Sequence, residues 1–382
     1  MRPTFLPYNQ PEVGEDEWRA VGEAIMSRWI TRGRLTQQLE EALADYLGVP
    51  EVVGLSSCTA GLHLALMAAG VGPGDEVIST PMTFAASINV IDQVGAKPVL
   101  VDVDEDTGNL NLDLVEQAIT RRTKAVLPVH YGGHSVDLVR LNRIRDRWGL
   151  AIIEDAAHAL GSRHDGHLVG SSGNLTAFSF YATKNLTTGE GGALVVPDAA
   201  MAERIRALSL HGLSRNAWNR YSEGGDWRYD VMAPGYKYNM TDIEAAMGLT
   251  QWAKFEAMQQ KRAQLASHYQ QRLRLLPVVV PAVRPGFDHA WHLFPIHLRL
   301  DVMSKTRDQV IEELRRRNIG TAVHFIPIPH FTYYQRRYGF KPNDFPHAET
   351  FYASEISLPL YPSMSFEDVD DVVDALAESV GD

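Results

Sequence analysis

Over the first 200 residues, short apolar, β-branched runs alternate with amphipathic stretches, and this alternation limits the fold more than any other feature. Residues 52–55, 76–79, 98–103, 125–129, 150–154 and 193–196 read as strands, with helical spacing at 62–69 and 85–94. Between them, 70–75 (Gly-Val-Gly-Pro-Gly-Asp) reads as a turn. Strand, helix and strand in this repeat demand crossover connections. The expected architecture is therefore a mainly parallel sheet with helices on both faces. Ahead of it, Trp18, Val21, Ile25 and Trp29 recur at helical spacing, as do Leu39, Ala42, Leu43, Tyr46 and Leu47. After Thr241 the pattern changes. One or two long helices are expected over 242–274, a Pro- and Val-rich connector at 277–285, a strand at 292–300, and helices at 304–318 and 366–377. The division expected is a large α/β domain over about 1–250 and a smaller α+β domain over about 251–382.

Composition narrows the function. A chain of 382 residues buries a large core without covalent staples. The single cysteine, Cys58, rules out an intramolecular disulfide and a cysteine-cluster metal site. The net charge of -11 argues against broad binding to nucleic acid or acidic membranes. No apolar leader opens the chain, and no run reaches the ~18 apolar residues of a membrane span. The expectation is a soluble, cytoplasmic protein of a reducing compartment.

Parallel sheets bind ligands beyond the carboxyl ends of their strands, so the residues there carry the chemistry. Ser56-Ser57-Cys58-Thr59-Ala60-Gly61 follows the first strand and opens a helix. Small residues at a helix amino end can cradle an anion, or simply cap the helix. Asp155 and His158 follow the 150–154 strand; the carboxylate could pair with a cationic ring nitrogen or serve as a cap. Lys184 lies among aromatic residues just before Gly189-Glu190-Gly191-Gly192. Desolvation there would free its amine for carbonyl chemistry. Anion cradle, strand-end acid and lysine, in this order, suit pyridoxal 5'-phosphate (PLP). No dinucleotide glycine fingerprint follows any expected strand, which disfavours a dehydrogenase.

Several segments together resemble one family. They are Trp29-Ile30-Thr31-Arg32-Gly33, Ser57 to Leu66, Pro128 to Gly133, Glu-Asp-Ala-Ala-His-Ala at 154–159, and Ser-Phe-Tyr-Ala-Thr-Lys-Asn at 179–185. His211-Gly212-Leu213, Gly235 to Asp242 and Gly320 to Phe325 continue the match. The resemblance is to the PLP-dependent nucleotide-sugar aminotransferases of the DegT/DnrJ/EryC1/StrS type, and it spans nearly the whole chain. It implies fold type I, the aspartate-aminotransferase fold, with a three-layer α/β/α large domain and a small α+β domain. It also implies a homodimer with shared active sites. Lys184 would hold PLP covalently and shuttle a proton, Asp155 would pair with the ring nitrogen, and His158 would bond near the ring hydroxyl. Phe84 would stack on the ring. Thr59 and Ala60 would bind phosphate through their amides, Ser179 through its hydroxyl, and Asn239 from the partner subunit. Thr31, Arg32, His324 and His330 would lie near the sugar nucleotide.

Within the family, the segments at 235–242 and 289–294 look closest to the UDP-4-keto-pentose aminotransferases of lipid A modification. Arg32 departs from that pattern, and Ile326 to His330 is similar instead to enzymes acting on UDP-linked 4-keto-hexoses. The resemblance implies transfer of an amino group from glutamate to C4 of a UDP-4-keto sugar, in amino-sugar synthesis for a cell-envelope polysaccharide. Open alternatives are C3 amination, another PLP reaction such as dehydration, and a non-catalytic regulatory homologue. The retained Lys184 disfavours the histidine-type dehydratase.

Overall fold

The computed structural model describes residues 2–214 and 228–381. Its central sheet has seven strands: β1 (Glu51–Leu55), β2 (Glu76–Ser79), β3 (Lys97–Leu100), β4 (Thr123–Val126), β5 (Ala151–Asp155), β8 (Leu175–Ser179) and β9 (Gly192–Val196). Between β5 and β8 lie the short strands β6 (Arg163–His164) and β7 (His167–Leu168). The sheet order is β1-β9-β8-β5-β4-β2-β3. Pairings from β8 to β3 are parallel, while β9 runs antiparallel to both neighbours.

Helices α1 (Glu15–Met26), α2 (Arg34–Leu47), α3 (Cys58–Ala68), α4 (Ala85–Gln93), α5 (Leu112–Ala118), α6 (Leu138–Trp148) and α7 (Ala199–Ser209) accompany the sheet. Strand alternation sorts its side chains between two faces. Val53, Leu55, Val77, Ala125, Ile153, Ala177 and Leu194 join Leu62 and Leu66 of α3 in one core. Val52, Phe178, Ala193 and Val195 join Leu39 and Leu43 of α2 on the opposite side. Ile78, Val126 and Ile152 pack there with Leu141 and Ile144 of α6.

The carboxy-terminal part begins with α8 (Asp242–Ala253) and α9 (Phe255–Arg272). Strands β10 (Val278–Val279), β11 (Phe287–Asp288), β12 (Phe294–Leu298) and β13 (Glu355–Leu358) follow, with helices α10 (Arg307–Arg316), α11 (Thr332–Tyr338), α12 (Pro346–Ser354) and α13 (Phe366–Val380). β12 is the centre of an antiparallel sheet with β10 and β13. Its core joins Leu265 and Tyr269 of α9 to Phe294, Val310, Leu314, Ile356 and Val372. Leu6 enters this core, and Leu6 bridges Ile319. Arg2 pairs with Asp368 at 2.6 Å and Asp371 at 2.7 Å. The start of the chain is thus held against its end.

Strands β8 and β13 lie outside every strand expected from the sequence, and further local features differ. The helix expected at 18–29 stops at Met26, and Trp18 and Ile25 lie 72% and 51% exposed, because Glu17 and Ala24 form its buried side. Asp155 is the last residue of β5 and not the first beyond it. No helix follows it; Asp155 Oδ1 accepts the Ala157 N–H at 3.1 Å in a turn.

Candidate active site

The carboxyl ends of β1, β5 and β8 converge with the loop leading into β12, and the sequence-chosen residues sit there. Asp155 is buried. Its Oδ2 accepts the Ser87 hydroxyl at 2.7 Å. The Cys58 thiol lies 3.8 Å from Oδ1 and 3.4 Å from the Ala177 carbonyl. Burial and then the Asp155 charge push that thiol's pKa well up, so Cys58 stays neutral. Among the described residues Asp155 has no ion pair.

Lys184 lies in the turn after β8, where its N–H donates to the Tyr181 carbonyl at 2.9 Å. Burial lowers its amine to about 8, against the opposing charge of Asp155 and the pull of Cys58. The amine stands 3.4 Å from His292 Nε2. His292 belongs to the 289–294 segment, which the sequence alone does not tie to the lysine. Asn185 donates its amide N–H groups to the Ala290 carbonyl at 2.8 Å and Gln259 Oε1 at 2.9 Å. That orientation leaves Asn185 Oδ1 to accept from His292 Nδ1 at 3.0 Å. His292 Nε2 is then the bare nitrogen that accepts from Lys184. Burial, then the charges of Lys184, His158 and Arg262, hold His292 well below the usual imidazole range.

His158 is also buried, and its ring lies 4.4 Å from that of His292. The Gly132 N–H donates to His158 Nδ1 at 3.2 Å, so a neutral ring carries its proton on Nε2. Burial and then Lys184 keep this ring neutral. Two glycines make the approach possible. Gly132 and Gly133 have φ of 64° and 102°. A Cβ on Gly133 would come within 3.0 Å of the His158 carbonyl and 3.2 Å of the His292 nitrogen.

At the mouth of α3, Ser57 Oγ accepts the Ala60 N–H at 3.1 Å. The capping reading holds at this serine. The serine caps the helix and occupies the Ala60 amide, whereas the Cys58 and Thr59 amides have no intrahelical acceptor. Ser179, half-buried at the end of β8, accepts the Tyr181 N–H at 3.4 Å. Asn239 bridges Leu55 in the backbone, and its side chain accepts from Lys237 and donates to the Met240 carbonyl at 3.1 Å. Phe84 caps α4, 66% exposed, with its ring 6.4 Å from Phe325.

His324 approaches from the carboxy-terminal part, its ring 6.4 Å from His158. The other expected sugar contacts already have partners within the chain. Thr31 is exposed, and its carbonyl accepts the Asp242 N–H at 3.1 Å. Arg32 is committed to Glu40 at 3.0 Å. His330 meets Glu349 at 2.8 Å and the Tyr352 ring at 5.3 Å. Carboxylates thus answer Arg32 and His330, two of the side chains expected beside an anionic ligand.

The arrangement can receive an anion at the α3 mouth, a carbonyl at Lys184 and a cationic ring nitrogen at Asp155. The DegT/DnrJ/EryC1/StrS aminotransferase family model matches residues 11–377. The chain is 47% identical over 378 residues to the spore coat polysaccharide biosynthesis protein SpsC of Bacillus subtilis, covering 98% of this chain and 97% of SpsC. A putative sugar aminotransferase, Spr1654 of Streptococcus pneumoniae, superposes in its PLP form with a TM-score of 0.91 at 34% identity, covering 98% of each chain. Helicobacter pylori PseC, an aminotransferase of pseudoaminic acid biosynthesis, gives 0.90 at 29% identity over 99% of both chains. This chain belongs to the DegT/DnrJ/EryC1/StrS aminotransferase family.

Proposed function

We propose that the protein is a PLP-dependent sugar aminotransferase that moves the amino group of glutamate to C4 of a UDP-linked 4-keto sugar. One observation carries the cofactor reading. A buried carboxylate without an ion pair among the described residues, a lysine amine lowered to about 8 and two helix-mouth amides without an intrahelical acceptor meet at one sheet end. That donor set fits PLP: the Cys58 and Thr59 amides with Ser179 for its phosphate, Asp155 for its ring nitrogen, and Lys184 for its aldehyde. His158, a donor through Nε2, fits the ring hydroxyl, and the exposed Phe84 fits the ring face.

When bound, the cofactor supplies an electrophilic carbon and a ring that takes up the electrons left by proton loss. The chain's own residues manage the rest. Lys184, half in its neutral form near pH 8, takes the proton from the amino acid's α-carbon and returns it on the other side of the exchange. His292 accepts from the Lys184 amine and holds it in place between these duties. Asp155, tethered by Ser87 and the Ala157 amide, keeps a negative charge aimed at the ring nitrogen.

Homodimeric assembly belongs to the same proposal. Trp18, Ile25, Met26 and Met232 expose apolar surface that a second copy would bury, and Asn239 would serve that copy's phosphate site. His324 would meet the sugar nucleotide, with Thr31 and Arg32 nearby.

The test is a panel of 3-keto and 4-keto sugars linked to UDP or dTDP, each mixed with enzyme preloaded with the amine form of the cofactor. Return of the aldehyde-form absorption with UDP-4-keto sugars is the expected result. Response only to 3-keto sugars refutes C4 delivery, and response to none refutes a sugar acceptor.

A further inference from the structure

The side chain that fixes His324 lies on β13. Strand alternation puts Glu355 and Ser357 on one face, both fully buried. Glu355 Oε2 accepts the His324 backbone N–H at 2.8 Å, and Oε1 accepts the Ser357 hydroxyl at 2.5 Å. Ser357 Oγ stands 2.9 Å from His324 Nδ1. Carboxyl, hydroxyl and imidazole form one unbroken line. It ends at His324 Nε2, which bonds to no protein group among the described residues. The ring lies 5.5 Å from Tyr8 and faces the cleft that holds His158 and Lys184.

Few charges act on Glu355. Arg307 of α10 reaches it only through space, being bonded to Asp308 and the Tyr352 carbonyl. Tyr8 and Tyr131 feel its charge, and burial drives both phenols up, so they stay neutral. His297 is its neighbour across β12, and bonds instead to Ser354 Oγ at 3.0 Å. No ion pair holds Glu355 ionised among the described residues.

We propose that Glu355, acting through Ser357, is a positioning residue that decides which ring nitrogen of His324 carries the proton, and so lets the cleft deliver a proton to His324 without forming a buried imidazolium. The inference rests on reading this cleft as the transamination site. With Glu355 ionised, Ser357 donates to it and accepts from His324 Nδ1–H, leaving Nε2 bare. A proton arriving at Nε2 releases the Nδ1 proton to Ser357, whose own proton passes to Glu355. The ring remains neutral, Nε2–H becomes a donor, and the added proton resides on the carboxyl. Burial supports this order of occupancy, raising Glu355 to about 8 and, with Lys184, lowering His324 to about 3.

The experiment is 15N NMR of histidine-labelled, cofactor-free protein between pH 6 and 10, with His324 assigned by its loss in His324→Gln. The expected result is a neutral ring throughout, its proton on Nε2 at low pH and on Nδ1 at high pH, with a midpoint near 8. In Glu355→Gln the amide carbonyl keeps the His324 N–H and the amide NH2 donates to Ser357, so Nε2–H persists at every pH. Ser357→Ala, which removes one hydroxyl, abolishes the transition; it carries the test if Glu355→Gln does not fold. An imidazolium forming near 6.5, one tautomer at every pH in wild type, or a transition surviving in either variant overturns the proposal. Tautomer switching in a protein that fails to capture PLP would refute the transaminase reading instead, so the two failures are separable.

Discussion

Replacing Lys184 by methionine tests how the fold prepares its amine. Burial lowers that amine from 10.5 to about 8. At about 1.36 kcal/mol per pKa unit, the gap corresponds to roughly 3 kcal/mol held against the cofactor-free fold. The sign follows from proton counting. Below about pH 8 the amine is charged in both the folded and unfolded states, and the fold bears the whole cost. Between 8 and 10.5 the unfolded chain binds more protons, so stability rises with pH. Above 10.5 both states are neutral and the cost is gone. Lys184→Met, similar in length and uncharged, should therefore stabilise the cofactor-free protein by up to about 3 kcal/mol at pH 7, and by under about 1 kcal/mol at pH 10. For 382 residues the unfolding entropy is about 0.8 kcal/mol per degree, so the Tm gain at pH 7 is about 4 °C. Calorimetry of both proteins at equal concentration, at pH 7 and 10, reads the difference. Any packing advantage of methionine is common to both pH values and cancels. An equal gain at both, or a loss at pH 7 alone, refutes the argument that burial primes this lysine.

Asp155→Asn keeps the shape but removes the charge aimed at the ring nitrogen; turnover should fall at least about a hundredfold while PLP still binds, as absorbance and steady-state assays would read. Near-normal turnover would reduce Asp155 to a turn residue. Mixing Asn239→Ala with Lys184→Ala chains should restore about a quarter of wild-type sites, because half the dimers are hybrids with one intact site each. No recovery after subunit exchange would mean that Asn239 does not serve a partner. Gly133→Ala should cost on the order of 1–3 kcal/mol, since its φ is 102° and its Cβ meets the His158 carbonyl at 3.0 Å. Denaturant unfolding measures the loss, and an unchanged midpoint would show that the two histidine segments can part without cost.

Most of the sheet was legible because strand alternation is local, and its two faces sort by parity; the buried strand β8 (Leu175–Ser179) was not read from the sequence. Antiparallel β9 was not legible. Its five residues, Gly192 to Val196, have the same apolar character in either direction, and only pairing with β1 and β8 sets the sense. The direction in which the apolar face of α1 points was not legible for a related reason. Trp18 and Ile25 have the spacing of a buried stripe, and the single chain turns that stripe outward. Arg32 and His330 looked like cations for an anionic ligand because Glu40 and Glu349 lie 8 and 19 residues away, too far for local pairing rules to flag.

The site divides along the same line between local and distant contacts. Asp155 and the α3 mouth were visible because each sits where an expected strand ends, and Lys184 because it lies among aromatic residues just before a glycine-rich turn. The groups that tune them come from afar. His292 reaches Lys184 across 108 residues, Ser87 reaches Asp155 across 68, and Ser357 reaches His324 across 33. The fold delivers His292 by pairing β11 with β6, after which the Ala290 and Leu293 amides donate to the Gly133 and Gly132 carbonyls at 2.9 and 3.0 Å. Trp291 between them takes φ of 48°, a left-handed conformation costly for a bulky residue. His289 Nδ1, accepting the Trp291 N–H at 2.8 Å, and Arg262, donating to its carbonyl at 3.4 Å, hold that residue in place. This left-handed residue immediately precedes His292, which meets the lysine just before the chain enters β12 of the small sheet. In this cleft the reacting groups sit at or near strand ends, and their hydrogen-bond partners come from segments distant in sequence. That is why the sequence exposes the first set and hides the second.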